Sequence, residues 1–81
     1  MNIVAQSKST RALRSRLARI EGQLRGLQKL LDAGADSEVI AQQMAAARKA
    51  LDKSFFVLVS VMIAEGHADS QEVASLLQRF A

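Results

Sequence analysis

Leu13, Leu17, Ile20, Leu24, Leu27 and Leu31 recur at spacings of four, three, four, three and four. At about 100° per residue they fall on one narrow helical stripe, the width of a seam in a helix bundle or coiled coil. The period predicts a first helix that starts at a Ser7 or Ser9 cap and ends near Leu31 or Asp32, with Gly34 as its stop. Ala33 to Asp36 is then a short loop that sends the next helix back antiparallel. Asp36 and Ser37 both suit an N-cap, and Glu38 suits a helix N-terminus. Ile40, Met44, Ala47, Leu51, Phe55, Leu58 and Met62 carry the helical period to about Ala64 or Glu65, where Gly66 ends it. The run from Phe55 to Ile63 is rich in Val and Phe and has a strand-like composition. The helical period nevertheless continues through it and no breaker precedes it. Being apolar nearly all round, it must be buried on several sides. Asp69 with Glu72 three residues later forms a capping-box start, and Val73, Leu76, Leu77 and Phe80 give a short amphipathic third helix. Residues 1–6 carry no pattern and read as a mobile arm.

Eighty-one residues make one domain at most, residues 1–81. There is no proline and there are only four glycines, so long helices are unobstructed. Apolar residues make up 49% of the chain but only three are aromatic. So much aliphatic surface on so short a chain argues for burial between subunits, because a monomer of this size buries its core poorly. Two glycines, Gly22 and Gly26, lie four apart on the back of the first helix. Each costs roughly 1 kcal/mol against alanine, so something is expected to approach that face closely, another helix or another subunit. No apolar segment has signal-peptide length and none is long enough to span a bilayer, which gives the expectation of a soluble cytoplasmic protein with no membrane partner.

Charge changes the picture more than composition does. Residues 1–31 hold seven Lys/Arg and one Glu, a charge of +6, whereas residues 32–47 hold three acids and no base. Residues 48–53 return +2 and residues 54–81 carry −2. Positive charge is therefore concentrated on the first helix and on the Arg48–Lys53 cluster, the footprint of a nucleic-acid binder. A solvated basic helix face would look the same. Arg16, Arg19 and Gln23 flank the apolar stripe on one side, and Arg11, Arg14, Arg25 and Lys29 on the other. With no Tyr or Trp, and three Phe expected to be buried, stacking of single-stranded bases is disfavoured. Double-stranded DNA gripped along its backbone fits better.

Catalytic chemistry finds little material. The absence of cysteine excludes disulfides, zinc–thiolate sites and thiol catalysis. His67 is the single histidine and sits beside Gly66 in an expected turn. The serines have no base at a recognisable spacing, and no Gly-rich phosphate loop or other cofactor motif is present. Met44 and Met62 lie on the apolar stripe, where they read as core fillers, although thioethers can bind soft copper.

The segment Arg16-Leu-Ala-Arg-Ile-Glu-Gly-Gln-Leu-Arg-Gly-Leu-Gln-Lys-Leu-Leu31 closely resembles the first-helix signature of the CsoR/RcnR/FrmR family of small all-helical bacterial repressors. The likeness continues through Gln43, Ala46 and Ala50-Leu51-Asp52-Lys53 and covers roughly residues 8–66. It implies an all-α protomer with two long antiparallel helices and a short third one. Two protomers would pair as an antiparallel four-helix bundle, and two such dimers would form a homotetramer. It also implies DNA contact through basic residues: Arg16 and Lys53 foremost, with Arg11, Arg14, Arg19 and Lys49 beside them. The family's thiolate and imidazole metal ligands align with Ser37, Met62 and Gly66, so the metal site is expected to be lost. The place it would occupy, around Asp36, Ser37 and Met62, could hold another effector of unknown identity, or none. Two rival readings remain. Leu17-Ala-Arg-Ile-Glu is loosely similar to the opening of the helical chorismate mutases, which would make the chain an enzyme. A structural helical bundle without a ligand is the other.

Overall fold

The computed structural model describes residues 8–66 and 68–81. They form α1 (Lys8–Asp32), α2 (Ser37–Ala64) and α3 (Ser70–Phe80), with no strand among them. The chain is all-α, a long pair and a short third helix, and the Val/Phe-rich run lies wholly within α2. Residues 1–7, with the expected arm and the Ser7 cap, lie outside the described residues, as does His67. Ser9 is not a cap, because α1 already includes Lys8.

The helix ends follow local chemistry. Gly34 has φ +68, its N–H donates to the Leu31 carbonyl at 3.1 Å, and the Ala35 N–H donates to the Leu30 carbonyl at 3.0 Å. That pair of bonds is a Schellman stop, which glycine favours because it carries no Cβ penalty in the left-handed region. Gly66 has φ +71 and donates to the Ile63 carbonyl in the same way at 3.2 Å. Asp36 is the N-cap of α2 by position, but its side chain makes no capping bond, contrary to the expectation from its residue type. Asp69 does cap. Its carboxylate accepts from the Glu72 N–H at 2.9 Å, while the Glu72 side chain accepts from the Asp69 N–H at 3.4 Å.

The packing of α1 on α2 divides the expected stripe into two rows, each with a seven-residue period. Ile20 and Leu27 are buried and Leu13 is half-buried, whereas Leu17, Leu24 and Leu31 stay 41%, 46% and 57% exposed. On α2 the buried row is Ala47, Ser54 and Val61, and Met44 and Leu51 are exposed. Met44 is therefore not a core filler of the protomer, although Met62 is. Small residues at 47 and 54 let the two backbones approach. Ser54 is 3% exposed and satisfies its hydroxyl by donating to the Ala50 carbonyl at 3.1 Å, so its burial leaves no orphaned polar group.

The protomer measures 47 × 28 × 13 Å. Its short dimension is about the diameter of one helix, so the helices form a single layer. Its radius of gyration of 15.7 Å exceeds the roughly 12 Å of a compact chain of this length. Its accessible surface of 6093 Å² is about 1,300 Å² more than expected for a compact protein of its mass. Helix α3 packs on α2 alone among the described residues, and it buries none of its own residues fully.

Candidate nucleic-acid interface

Ile20 turns inward against α2, and this fixes where its neighbours point. Arg16 and Arg19, four and one residues before it, and Gln23, three after it, lie along one edge of α1. The same holds on α2, where Lys53 sits next to buried Ser54 and three residues from Ala50. These two edges meet. Arg16, Arg19, Gln23 and Lys53 line one open groove of about 410 Å³ whose floor is Ile20, Ala50 and Ser54. Arg16 is half-buried, and Arg19 and Lys53 are exposed. No carboxylate lines the groove, and Arg16, Arg19 and Lys53 have no hydrogen-bond or ion-pair partner among the described residues. Three guanidinium or ammonium groups on a small, rigid floor can hold phosphate oxygens by charge-assisted hydrogen bonds.

The remaining basic candidates are not part of this groove. Lys49 lines a different depression on α2 with Gln42, Ala45, Ala46, Arg48 and Asp52. Arg11 and Arg14 are exposed earlier on α1. The floor residues Ala50 and Ser54 carry no charge, so the charge pattern of the sequence did not mark them.

A second groove, of about 460 Å³, lies on the other flank of the α1–α2 seam and shares Ser54 with the basic one. Leu13, Leu17, Leu51, Phe55, Phe56, Leu58 and Phe80 line it. The expectation of three buried Phe is corrected here. Phe56 and Phe80 are exposed and Phe55 is half-buried, because a single layer of helices has nothing to cover them. Phe55 and Phe56 meet edge to face at 5.5 Å. All three line the apolar groove and none lines the basic one.

Gly22 and Gly26 have no neighbour within 4 Å of where a Cβ would stand. The close approach expected of them is therefore absent within the protomer, since α2 packs against a different face of α1.

The positions aligned with family metal ligands do not meet in one protomer. Ser37 opens α2 and Met62 lies near its other end, about 37 Å away along the helix axis. Met62 is 6% exposed, and Gly66 contributes no side chain. Asp36, Ser37 and Met62 could share a pocket only across a subunit boundary. Among the described residues no three His, Cys, Asp or Glu side chains cluster. A hydroxyl and a thioether alone do not make a site for a soft or borderline metal ion. No helix is long and apolar enough to cross a membrane among the described residues.

A family model described as metal-sensitive transcriptional repressor matches residues 9–80. Comparison with curated proteins and with solved structures finds no match.

Proposed function

We propose that this chain, which belongs to the metal-sensitive transcriptional repressor family, represses by gripping double-stranded DNA and has lost its metal input. The observation that carries the reading is the carboxylate-free groove in which Arg16, Arg19 and Lys53 converge from two helices. These three residues take the central phosphate contacts, and Arg11, Arg14 and Lys49 extend the basic surface along the backbone. The role is binding, not catalysis, and its place is the bacterial cytoplasm.

The working unit is a homotetramer, a dimer of antiparallel four-helix bundles. The uncovered leucine row on α1, the Met44–Leu51 row on α2 and the surplus surface of the protomer support it. Gly22 and Gly26 then serve contacts that a protomer does not make.

An anaerobic DNA-release titration tests the lost metal input. Copper(I), nickel(II), cobalt(II) and zinc(II), each at one ion per subunit, are expected to leave the complex intact. Release by copper(I), with one ion bound per subunit, would overturn the reading and point first to His67 as an unrecognised ligand.

A further inference from the structure

The basic groove gathers more positive charge than any single phosphodiester can match. Arg16, Arg19 and Lys53 supply three positive charges around a single groove, and Gln23 adds an amide. A phosphodiester brings one negative charge, whereas a terminal phosphoryl group carries about −1.5 to −2 at pH 7. Each of two other depressions that contain a cation also contains a carboxylate. Asp52 lies with Arg48 and Lys49, and Glu72 lies with Arg79. The groove also has a fixed shape, because its floor is the packed seam itself: Ile20 is 7% exposed and Ser54 is 3% exposed. Ala50 between them presents only a methyl group, which leaves depth below the three cationic heads.

The geometry points to this groove as an effector site for a small molecule bearing two adjacent phosphoryl groups. Such a molecule meets all three cations at once within the groove, whereas DNA meets them with separate backbone phosphates. Because the same side chains make the proposed DNA contacts, the diphosphate releases the operator by direct competition. No metal and no relay between distant sites is then needed. The inference rests on the DNA-binding role of the groove for its regulatory consequence, but not for the binding itself.

Calorimetry on the free full-length protein measures binding directly, in magnesium-free buffer, with inorganic pyrophosphate as the probe. Orthophosphate and adenosine diphosphate are the comparison arms. Pyrophosphate is expected to bind once per groove and more tightly than orthophosphate. Arg16→Ala and Lys53→Ala are each expected to weaken it about tenfold or more, since each removes a charge-assisted contact. Arg25→Ala, outside the groove, should bind as the wild type does. Adenosine diphosphate binding as tightly as pyrophosphate places recognition in the phosphoryl pair alone, and tighter binding adds a contact for the nucleoside; both support the site. No pyrophosphate binding, or binding unchanged in Lys53→Ala, overturns it. A second experiment titrates pyrophosphate into the protein–DNA complex against sodium chloride of equal ionic strength. Release beyond the chloride control supports competition. Release no greater than chloride overturns the regulatory step while leaving DNA binding standing. Failure to bind DNA at any salt concentration overturns the repressor reading instead, and the calorimetry still decides the anion site.

Discussion

Truncating Leu24 separates the packing within a protomer from the packing between protomers. Leu24 keeps 46% of its surface exposed, although it lies only three residues from Leu27, which keeps 6%. Fully burying a leucine side chain stabilises by roughly 2 kcal/mol, so covering the exposed half of Leu24 against a partner contributes about 1 kcal/mol. In a two-fold pair both copies contribute, so Leu24→Ala should weaken association by about 2 kcal/mol, or ~30-fold. Leu27→Ala removes a side chain already buried against α2 and should lower folding stability by about 2–5 kcal/mol. Sedimentation equilibrium over a concentration series reads the first effect, and circular dichroism melts over the same series read the second. Leu24→Ala should shift the subunit equilibrium and make the melt more concentration-dependent, with helix content unchanged once associated. A wild-type protein that stays monomeric at micromolar concentration would refute the reasoning. So would a Leu24→Ala variant that associates as tightly as the wild type.

Other substitutions probe single features. Gly34→Ala places a Cβ at φ +68 and should cost about 1 kcal/mol, a fall in melting temperature of about 4–8 °C for a chain of this size. Asp69→Ala removes the capping box of α3 and should cost about 1 kcal/mol, visible as faster amide exchange in α3 with α1 unchanged. Gly22→Ala and Gly26→Ala meet open space in the protomer, so each should favour the helix by up to about 1 kcal/mol. If a subunit or DNA approaches that face, the same variants should lose assembly or DNA affinity while the isolated helix gains. A gain in melting temperature with assembly and binding both intact would leave the two glycines without a role.

The helices were legible because their signals are local. Leucine spacing, the two stop glycines and the Asp69–Glu72 pair each act within a few residues. Which half of the stripe faces inward was not legible. Leu13–Ile20–Leu27 and Leu17–Leu24–Leu31 are chemically alike, and only the partner helix distinguishes them. The buried row of α2 was hidden for a related reason. Ala47 and Ser54 rank low in hydrophobicity, yet helices crossing closely select small residues there. Met44 was misread as core because a bundle seam and a protomer core share one period. The edge carrying Arg16 and Arg19 followed from periodicity. Lys53 came from the family resemblance, because its meeting with that edge depends on the register that the 33–36 turn imposes between the two helices.

The central claim is that the Arg16–Arg19–Lys53 groove holds DNA phosphates, and the salt dependence of DNA affinity tests it most directly. Log affinity falls linearly with log salt, with a slope of about −0.9 for each phosphate neutralised on duplex DNA. Fluorescence anisotropy on operator DNA, across a salt series, should give an Arg16→Ala, Lys53→Ala slope that is shallower than wild type by about 1.8 if each residue holds one phosphate. A doubly substituted protein that folds and assembles normally, yet keeps the wild-type affinity and slope, would contradict the account.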